Sequence, residues 1–488
     1  MKLKKILNNI EFKLESGNLN IEIKDIKYDS REINKDNLFI AITGFESDGH
    51  QYISQAIENG ALAVIIEKDI PEYQSDITYI KVENSRKTMA EIAKNFFDYP
   101  LQDIKLIGIT GTNGKTTTSY LLYNILKEHT AKSALFGTIK NIIGDNVLNS
   151  SRTTPESIDL YRYFAQMREE GINYGVMEVS SHALDLYRVH GMNFEAAIFT
   201  NISPEHLDYH KNLENYREVK SRLFSQLKSE QFAVINIDDQ NGDYIKNKSR
   251  GKNYSYSLDS KSADLYTREF KLHQKGMEYR TGGMINSIFE LNLGGIFNIY
   301  NSLAAILTAK LLGIEEETIK KALNKVKSVP GRFEMINAGQ DFQIVVDYAH
   351  TPDGMKNVLE TAAVMEKNRL IVLFGCGGDR DRSKRPAMAK LAEKYADYII
   401  VSNDNPRNED PDKIFTEIKK GFTKDFNNYE IVFDRKKAIE KAIKIAKKDD
   451  LVMLLGRGHE KYQVLKDRKI ELDDRKIAYQ AAEKVKGI

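Results

Sequence analysis

The sequence predicts an α/β protein with three domains and mainly parallel sheets. Its 488 residues correspond to about three domains at roughly 150 residues each. Short apolar runs with the features of strands alternate with segments of helical periodicity along almost the whole chain. This alternation is typical of parallel sheets whose strands are connected by helices. We find no internal repeat and no low-complexity segment.

The composition is that of an ordinary globular protein. Hydrophobic residues make up 41% of the chain and charged residues 29%, and the net charge of +2 gives no indication of a nucleic-acid or membrane partner. The single cysteine, Cys376, excludes an intrachain disulfide and a cysteine-based metal site. The sequence contains no apolar run of about 18 residues, and its first residues carry charges where a signal peptide needs an apolar block. We therefore expect a cytoplasmic protein with no nucleic-acid or membrane partner.

Residues 1–98 form the first predicted domain. The apolar runs NLFIAIT, LAVIIEK and ITYIKVE predict strands, whereas GHQYISQAIENGA and SRKTMAEIAKNFFDYP have helical periodicity. Pro100 marks the boundary, because the residue before a proline is disfavoured in a helix. We expect a small α/β domain that ends at this point.

A second domain is predicted at residues 99–329 and a third at residues 330–488. In the second, KLIGIT, YGVMEVS, AAIFTN and FAVINID predict strands, and a polar, strand-rich segment interrupts the alternation at residues 253–280. In the third, FQIVVDYAH, RLIVLFGCGG, YIIVSNDN, YEIVFD and LVMLLGRG predict strands that polar residues follow. Ligands of such sheets gather beyond the carboxyl ends of the strands, and most of the unusual clusters lie there.

A phosphate-binding loop is indicated by GITGTNGKTTT, where a predicted strand runs into a predicted helix. Glycines let the backbone wrap around a phosphate, helix N-terminal N–H groups point at it, and Lys115 adds a positive charge. Thr116 or Thr117 offers a hydroxyl to Mg²⁺. The usual spacing fails by one position, because its first glycine falls on Ile109. The alternative is a Gly/Thr turn without a ligand; we expect nucleotide phosphate binding.

Two further strand ends carry acidic and histidine side chains. In VMEVSSHALD, Glu178 ends an apolar run, where an unpaired carboxylate would be costly to bury and a metal ion shared with the phosphates would compensate it. Local N–H groups explain this carboxylate equally well. In FTNISPEHLDYH, His206 and His210 are four residues apart, like paired ligands on one helical face. The sequence has no H-E-x-x-H motif, and a lone histidine is usually structural.

Four strand ends of the third predicted domain carry polar clusters. DYAHTPDG contains Asp347, GCGGDRDRSKRP contains Arg380 and DNPR contains Arg407, while GRGHEKYQ repeats the combination of glycine and charged residues. Arginines beside a glycine-rich loop suit bidentate recognition of a carboxylate or phosphate. The alternatives are a solvated basic face for the second cluster and an ordinary Asn-Pro turn for the third.

Eight motifs in a fixed order carry a resemblance to a known family. They are TGTNGKTTT, SRTTPE, MEVSSHALD, TNISPEHLDYH, FNIYNSLAA, DYAHTPDG, GCGGDRDRSKRP and DNPR. Together they resemble the Mur ligase family, and most closely its branch that adds meso-diaminopimelate as the third residue of the peptidoglycan stem peptide. The nucleotide loop of this family carries Gly-Thr-Asn-Gly-Lys-Thr/Ser, so the shifted glycine is a family feature. The resemblance implies a UDP-substrate-binding domain, a central P-loop-like ATP-binding domain and a C-terminal Rossmann-like domain for the amino acid.

The resemblance also implies roles for individual residues. Those implied to bind ATP are Gly111, Thr112, Asn113, Gly114, Lys115, Thr116, Thr117, Asn298, Asn301, Arg332 and Asp347. Those implied to bind the UDP-muramoyl-dipeptide are Ser30, Asp48, His50, Thr153, Thr154, Pro155, Ser181 and Arg188. Those implied to be catalytic are Lys115, Glu178, His206 and Lys220, and those implied to hold Mg²⁺ are Thr116, Glu178, His206 and Lys220, the last as a carbamate formed with CO₂. Those implied to bind the amino acid are Arg380, Asp404, Asn405, Pro406, Arg407, Gly456 and Glu460.

The implied activity is an ATP-dependent amide ligation. ATP phosphorylates the terminal carboxylate of UDP-MurNAc-L-Ala-D-Glu, and the amine of meso-diaminopimelate attacks the acyl phosphate. In similar enzymes Asp-Asn-Pro-Arg accompanies this amino acid, whose second carboxylate Arg407 would clamp. The alternatives are L-lysine or meso-lanthionine as the added amino acid, and a non-catalytic nucleotide-binding regulator. A P-loop GTPase is disfavoured because the sequence has no N-K-x-D guanine motif. We expect a monomer.

Overall fold

The first large β-sheet lies within residues 1–98 of the computed structural model, which describes residues 1–44, 47–273 and 276–485. Its strands are β1 (Lys13–Ser16), β2 (Asp25–Lys27), β3 (Asn37–Ile40), β4 (Ala61–Ile66) and β5 (Thr78–Lys81). The accompanying helices are α1 (Leu3–Ile6), α2 (Ile53–Glu58) and α3 (Ser85–Phe96), with 3-10 turns at Ser30–Glu32 and Gly49–Tyr52. The strand order is β1-β5-β4-β3-β2, and only the β1–β5 pairing is antiparallel.

The central sheet has eleven strands and follows a 3-10 turn at Pro100–Gln102. The strands are β6 (Lys105–Thr110), β7 (Ala134–Phe136), β8 (Lys140–Ile143), β9 (Asn146–Asn149), β10 (Tyr174–Glu178), β11 (Phe194–Phe199), β12 (Phe232–Asn236), β13 (Lys252–Ser257), β14 (Leu265–His273), β15 (Gly276–Gly283) and β16 (Ile288–Leu291). The helices are α4 (Lys115–Thr130), α5 (Ser157–Glu169), α6 (Ser181–Asp185), α7 (Leu207–His210), α8 (Leu213–Ser225), α9 (Gly242–Lys248), α10 (Phe297–Leu311) and α11 (Glu316–Lys325). The strand order is β16-β15-β14-β13-β12-β11-β6-β10-β7-β8-β9, parallel from β14 to β7 and antiparallel at both edges.

The third sheet has six strands, in the order β17-β18-β22-β19-β20-β21. Their bounds are β17 (Glu334–Met335), β18 (Gln343–Asp347), β19 (Leu370–Phe374), β20 (Tyr398–Ser402), β21 (Tyr429–Val432) and β22 (Leu451–Leu455), and a separate hairpin joins β23 (Tyr462–Val464) to β24 (Lys469–Glu471). The helices are α12 (Pro352–Val364), α13 (Lys384–Tyr395), α14 (Pro411–Lys419), α15 (Arg435–Ile445) and α16 (Asp474–Val485). All pairings in the six-stranded sheet except β17–β18 are parallel.

The strand order brings distant loops together. β6 lies between β10 and β11, and all three strands are parallel. The loops that follow Thr110, Glu178 and Phe199 therefore leave the sheet next to one another. These strands are almost wholly buried, as expected of parallel strands covered on both faces. In the third sheet, β18, β22, β19 and β20 are neighbours, and the polar clusters that follow them meet at one edge. The predicted α/β class with mainly parallel sheets is confirmed.

The strands predicted from apolar runs are all present, although the structure sets their limits one to four residues inside several runs. Residues 274 and 275 of the polar segment, and residues 486–488 of the third predicted domain, lie outside the described residues. Among the residues that the structure describes, no helix combines the length and the apolar character needed to cross a membrane. The domain limits at residues 98 and 329 stay predictions.

Candidate functional site

The loop between β6 and α4 has the geometry of a phosphate-binding loop. Gly111 (φ 150°) and Gly114 (φ 85°) have backbone conformations that favour glycine. An ideal Cβ at Gly114 would also lie 2.4 Å from Oδ1 of Asn301. Nζ of Lys115 donates to the carbonyls of Gly111 (2.8 Å) and Thr112 (2.6 Å) and so closes the loop. The N-terminus of the 16-residue helix α4 therefore follows a glycine-rich turn, an arrangement that attracts anions.

The loop forms part of a cavity of about 720 Å³, a volume typical of small-molecule sites, with lining residues from both the central and the third sheet regions. From the predicted ATP-binding set, the lining residues are Thr112, Asn113, Gly114, Lys115, Thr116, Thr117, Asn301, Arg332 and Asp347. Gly111 and Asn298 are not among the lining residues. Asn298 is fully buried, and its Oδ1 accepts a hydrogen bond from Nδ2 of Asn301 at 2.9 Å. Asn298 therefore orients Asn301 rather than lining the cavity.

Glu178 is a buried carboxylate in the wall of this cavity. Its Oε2 accepts hydrogen bonds from Oγ1 of Thr116 and Oγ1 of Thr138, both at 2.9 Å, and its Oε1 accepts one from the Thr138 backbone N–H at 2.9 Å. All three donors are neutral. Thr138 was missed by the sequence analysis, because it lies on a different strand connection and carries no motif of its own.

The oxygen atoms of Glu178 and Thr116 fit Mg²⁺, which prefers carboxylate, hydroxyl and water oxygens. A divalent cation at this point would compensate a buried carboxylate whose hydrogen-bond donors are all neutral. Within residues 1–44, 47–273 and 276–485, no group of three or more His, Cys, Asp or Glu side chains is arranged to hold a metal ion. A magnesium ion at Glu178 would therefore depend on hydroxyl, water and substrate oxygens for its remaining ligands.

The pairing of His206 with His210 on one helical face is wrong. His206 precedes α7 and has a left-handed φ of 55°, so the helix begins only after it. Its side chain is 44% exposed and faces Glu205, with Nε2 3.8 Å from the carboxylate. His210 is buried, and its Nε2 lies 2.9 Å from Oγ of Ser181. His206 lines the cavity, whereas His210 packs behind it.

Lys220 lies on α8 and is only 1% exposed, although a lysine on a helix is normally solvated. Its Nζ donates to the carbonyl of Gly111 at 2.8 Å and lies 4.5 Å from the ring centroid of Tyr216. Burial lowers the pKa of Lys220 well below its ordinary value. The sequence contains a signal for this position, because Lys220 lies four residues after Tyr216 and four before Phe224 on the buried face of the helix.

Arg332 and Asp347 reach the cavity from the third sheet region. Nη2 of Arg332 donates to Oγ1 of Thr116 at 3.1 Å, and its guanidinium lies 4.5 Å from the ring centroid of Tyr348. The carboxylate of Asp347 accepts from the backbone N–H groups of Phe333 and Ala349, both at 2.7 Å. Burial raises the pKa of Asp347. The two residues thus join the phosphate loop to the C-terminal end of β18.

Asp353, in the first turn of α12, contacts the phosphate loop and was missed by the sequence analysis. Its Oδ2 accepts from Nδ2 of Asn113 at 2.7 Å and from Oγ of Ser203 at 3.0 Å. Thr351 caps the same helix by accepting from the N–H of Gly354 at 3.2 Å. Thr351 therefore has a local capping role, whereas Asp353 joins two sheet regions. Its partners in the chain are 240 and 150 residues away, a distance that local sequence patterns do not report.

The predicted muramoyl-peptide residues lie in two segments of the central region. Residues 153–155 lie between β9 and α5, and Ser181 and Arg188 follow β10. Thr153 and Ser181 line the cavity. Thr154 is buried, with Oγ1 donating to the carbonyl of Glu178 at 2.8 Å. Nη1 of Arg188 donates to the carbonyl of Thr154 at 3.1 Å, and burial lowers the pKa of Arg188. Pro155 lines a separate polar cavity of about 60 Å³.

The remaining predicted UDP-substrate residues lie in the first sheet region and do not line the larger cavity. Oγ of Ser30 donates to Oε1 of Gln55 at 2.8 Å. Nδ1 of His50 lies 2.7 Å from Oδ1 of Asp48, whose other oxygen pairs with Lys68. The structure therefore brings Asp48 and His50 together but keeps them apart from the phosphate loop.

A second polar cluster, formed by loops after β19, β20 and β22, contains the predicted amino-acid-binding residues. Arg407 has a left-handed φ of 52°, and its Nη1 donates to the carbonyl of Gly378 at 2.8 Å. Burial, and then the like charge of Arg380, lowers the pKa of Arg407. Arg380 is exposed, with Nη1 donating to the carbonyl of Asp379 at 2.9 Å. Two neighbouring guanidinium groups make this cluster suited to an anion.

Not every arginine of GCGGDRDRSKRP belongs to that anion-binding cluster. Arg385 is fully buried and pairs with Glu409 at 2.8 Å and Glu417 at 2.6 Å. The interpretation of the motif as a solvated basic face is therefore wrong for Arg385, because these two carboxylates neutralise it inside the fold. Arg380 and Arg382 remain exposed.

Asn405 and Glu460 meet beside Arg407. Nδ2 of Asn405 donates to Oε2 of Glu460 at 2.8 Å, and burial and the charge of Asp404 raise the pKa of Glu460. Gly456 has a positive φ of 110°, and a Cβ there would lie 2.8 Å from Oδ2 of Asp404. Pro406 is buried between Asn405 and Arg407 in the chain. The cluster thus combines guanidinium groups with carboxylates, as a ligand carrying both signs of charge requires.

Three family models match successive parts of the chain. They describe the Mur ligase family catalytic domain at residues 22–97, the Mur ligase middle domain at residues 109–309 and the Mur ligase glutamate ligase domain at residues 331–458. A relative from Clostridium tetani, named UDP-N-acetylmuramoyl-L-alanyl-D-glutamate–2,6-diaminopimelate ligase, is 44% identical over 99% of this chain and 100% of its own length. A relative of the same name from Clostridioides difficile is also 44% identical, over 99% of this chain and 100% of its own length.

A solved structure described by the same ligase name is 31% identical, with a TM-score of 0.71, and covers 100% of this chain and 99% of its own. The ADP complex of MurF ligase from Thermotoga maritima shares the fold, with 19% identity, a TM-score of 0.65 and coverage of 94% of this chain and 98% of its own. The family expected from the eight motifs is confirmed. The chain belongs to the Mur ligase family.

Proposed function

We propose that the chain is the ATP-dependent ligase that joins meso-diaminopimelate to UDP-N-acetylmuramoyl-L-alanyl-D-glutamate. The observation that carries the proposal is the 44% identity, over 99% of the chain, to a relative named for this reaction. The cavity lined by a phosphate loop, a buried glutamate and a buried lysine supports the ATP-dependent half of the reaction. The cluster of Arg407, Arg380 and Glu460 supports a zwitterionic amino acid as the second substrate.

In the first step, the terminal carboxylate of the UDP-muramoyl-dipeptide attacks the γ-phosphoryl group of ATP, and ADP leaves. Lys115 and the N–H groups at the start of α4 hold the phosphates and stabilise the charge that develops on them. Thr153, Ser181 and Arg188 orient the dipeptide end of the acceptor. The product is an acyl phosphate, whose reactive carbon must be kept away from water.

In the second step, the amine of diaminopimelate attacks the acyl phosphate and inorganic phosphate leaves. Arg407 binds the distal carboxylate, Arg380 the carboxylate at the reacting end, and Glu460 the distal ammonium. L-Lysine lacks the distal carboxylate and would leave a half-buried guanidinium unpaired. L-Lysine and meso-lanthionine stay as alternative substrates, and a non-catalytic nucleotide-binding regulator is the alternative from another class.

The proposed Mg²⁺ site uses the oxygens of Thr116 and Glu178, and His206 lines the same cavity. When bound, Mg²⁺ neutralises charge on the phosphates of ATP. We also propose that Lys220 is a carbamate. Its burial and its lowered pKa favour the neutral amine, which is the form that attacks CO₂. The three proposed domains are residues 1–98 for the UDP substrate, 99–329 for ATP and 330–488 for the amino acid, while a cytoplasmic location and a monomeric state stay predictions.

An amino-acid panel tests the proposed function directly. Phosphate release from ATP is measured in the presence of the UDP-muramoyl-dipeptide with meso-diaminopimelate, meso-lanthionine or L-lysine, and amide formation is followed in the same samples. We expect release only when both acceptor and amino acid are present, and by far the fastest with diaminopimelate. Equal rates with L-lysine would contradict the substrate assignment, and no release with any amino acid would favour the regulator.

Asp353→Ala is expected to loosen the closure of the third sheet region on the phosphate loop, because it removes the hydrogen bonds from Asn113 and Ser203. We expect kcat/KM for ATP to fall about tenfold, the size of one charged hydrogen bond. Since water then reaches the acyl phosphate, the ratio of phosphate to amide should rise above one. Asp412→Ala is the matched control, because Asp412 is the second residue of α14 and follows a proline, as Asp353 does in α12. A ratio of one in Asp353→Ala would show that closure does not depend on this carboxylate.

A further inference from the structure

A fully buried arginine lies directly behind the amino-acid-binding cluster. Arg457, in the loop after β22, is 0% exposed. Its Nη1 donates to Oδ1 of Asn405 at 2.9 Å, and its Nη2 donates to the carbonyls of Tyr462 (2.9 Å) and Leu472 (3.2 Å). One planar guanidinium thus connects Asn405 to the start of β23 and to the residue that follows β24.

These contacts determine which way the amide of Asn405 faces. Its Oδ1 accepts from Arg457 and also from the backbone N–H of Val464 at 2.8 Å. Both partners are donors only, so the oxygen must face them and the amide nitrogen must face away. On that side Nδ2 donates to Oε2 of Glu460 at 2.8 Å. A flipped amide would oppose donors to donors on one side and an oxygen to a carboxylate on the other.

Arg457 is itself held in place by a buried ion network. Its Nε lies 3.6 Å from Oδ1 of Asp474, which also pairs with Arg435 at 2.7 Å. All three side chains are 0% exposed. Two buried guanidinium groups share this one carboxylate, and Nη1 of Arg457 lies 3.4 Å from Oε2 of Glu460. The positive charge behind the cluster is therefore compensated from the ligand side, by Glu460.

We propose that Arg457 is a positioning residue for amino-acid recognition, which sets Asn405 and Glu460 in the orientation that receives the distal ammonium of the substrate. The proposal rests on the proposed function, since it concerns the same amino-acid site. One oxygen of Glu460, Oε2, is engaged by Asn405 and Arg457. The other oxygen, Oε1, would then be the one that receives the ammonium. Lysine at position 457 has one compact donor group and does not reproduce the three simultaneous bonds of the planar fork.

Arg457→Lys is therefore expected to raise KM for the amino acid about tenfold, the size of one lost hydrogen bond to a charged group, with kcat and KM for ATP within about twofold of wild type. The amino acid used is the one that wild type adds fastest in the panel above. An unchanged KM overturns the proposal. Wild type that adds no amino acid overturns both the proposed function and this inference, whereas a normal panel with an unchanged variant overturns the inference alone.

A double-variant cycle separates positioning from general destabilisation. Since Arg457 acts chiefly through Asn405, Arg457→Lys is expected to have a much smaller effect on KM in an Asn405→Ala background than in wild type. Full additivity of the two effects overturns the proposal. Arg369→Lys is the matched control, because Arg369 pairs at 2.5 Å with Asp450 at the opposite end of β22. It is expected to lower the melting temperature without changing KM.

A second variant keeps the test decisive where Arg457→Lys does not fold. Asn405→Asp retains the oxygens that accept from Arg457 and Val464 but sets a second carboxylate against Glu460 in place of a donor. We expect it to fold and to raise KM for the amino acid at least as much as Arg457→Lys. An unchanged KM in this variant shows that the orientation of the amide does not matter, and it overturns the proposal.

Discussion

Lys220→Ala is expected to lower kcat for ligation by about a thousandfold, the upper range for loss of one preorganised electrostatic group. The side chain is buried, donates to the carbonyl of Gly111 and lies next to the ring of Tyr216. An ammonium group in this position would be costly, and burial lowers its pKa well below the ordinary value. The neutral amine is the form that reacts with CO₂. A bond forms between Nζ and the carbon of CO₂, and one N–H proton is released. The side chain, which is otherwise a cation when protonated, thereby becomes an anion.

The measurement compares ligation by wild type, Lys220→Ala and Lys220→Arg in buffer depleted of CO₂ and in buffer with added bicarbonate. Wild type should lose activity on depletion and regain it with bicarbonate, whereas both variants should stay inactive, since arginine keeps the positive charge but is not carbamylated. Labelling with ¹³C-bicarbonate should give a carbamate resonance in wild type only. Lys211→Ala is the control, because Lys211 is an exposed lysine just before α8. Wild-type activity in Lys220→Arg would exclude the carbamate.

Local patterns in the sequence were sufficient to predict the strands and the loops that carry the site. The predicted strands of the second and third domains contain buried runs, except β21, whose residues are half-buried. The polar residues after Thr110, Glu178 and Asp347 meet in or beside one cavity. The phosphate loop was predicted despite its shifted glycine, because its glycines and Lys115 lie where a predicted strand runs into a predicted helix. In the structure both Gly111 and Gly114 have a positive φ. These features depend on neighbouring residues, which is why they can be predicted without the fold.

Contacts between distant segments could not be predicted in this way. Asp353 reaches Asn113 across 240 residues, and Arg457 reaches Asn405 across 52, and neither contact has a periodic signature. The helical pairing of His206 and His210 failed for a local reason, the left-handed backbone at His206, which spacing does not reveal. Lys220 is the intermediate case. The resemblance alone indicated it, since a lysine on a helix is normally solvated, and only its burial beneath the phosphate loop separates it from such a lysine.

Arg407→Ala is expected to reduce kcat/KM for diaminopimelate about a hundredfold, because a charged, bidentate hydrogen-bond pair with the distal carboxylate is lost. The fold itself holds this guanidinium in place. Its Nη1 is held by the carbonyl of Gly378 at 2.8 Å, and a Cβ at Gly377 would lie 2.9 Å from the same nitrogen. The left-handed backbone at Arg407 directs the side chain out of the turn at a cost that the fold must compensate.

The selectivity of the variant is a sharper readout than its rate. In wild type, L-lysine would leave Arg407 half-buried without a counter-ion, and the like charge of Arg380 adds to that cost. Removing the guanidinium removes this penalty, so Arg407→Ala should gain relative activity with L-lysine while losing it with diaminopimelate. Arg407→Lys should fall between the two, since an ammonium group keeps the charge but does not bind a carboxylate bidentately.

The control for Arg407→Ala is Arg382→Ala. Arg382 belongs to the same basic motif as Arg380, is 63% exposed and pairs with Glu409 at 3.1 Å, so its loss should change neither rate nor selectivity. If both variants lowered the rate equally, the effect would arise from the net positive charge of the motif, because long-range attraction does not distinguish the two arginines. A loss confined to Arg407, together with a gain in relative activity with L-lysine, requires a direct contact with the distal carboxylate. Screening separates the two mechanisms, since raising the salt concentration weakens the first far more than the second.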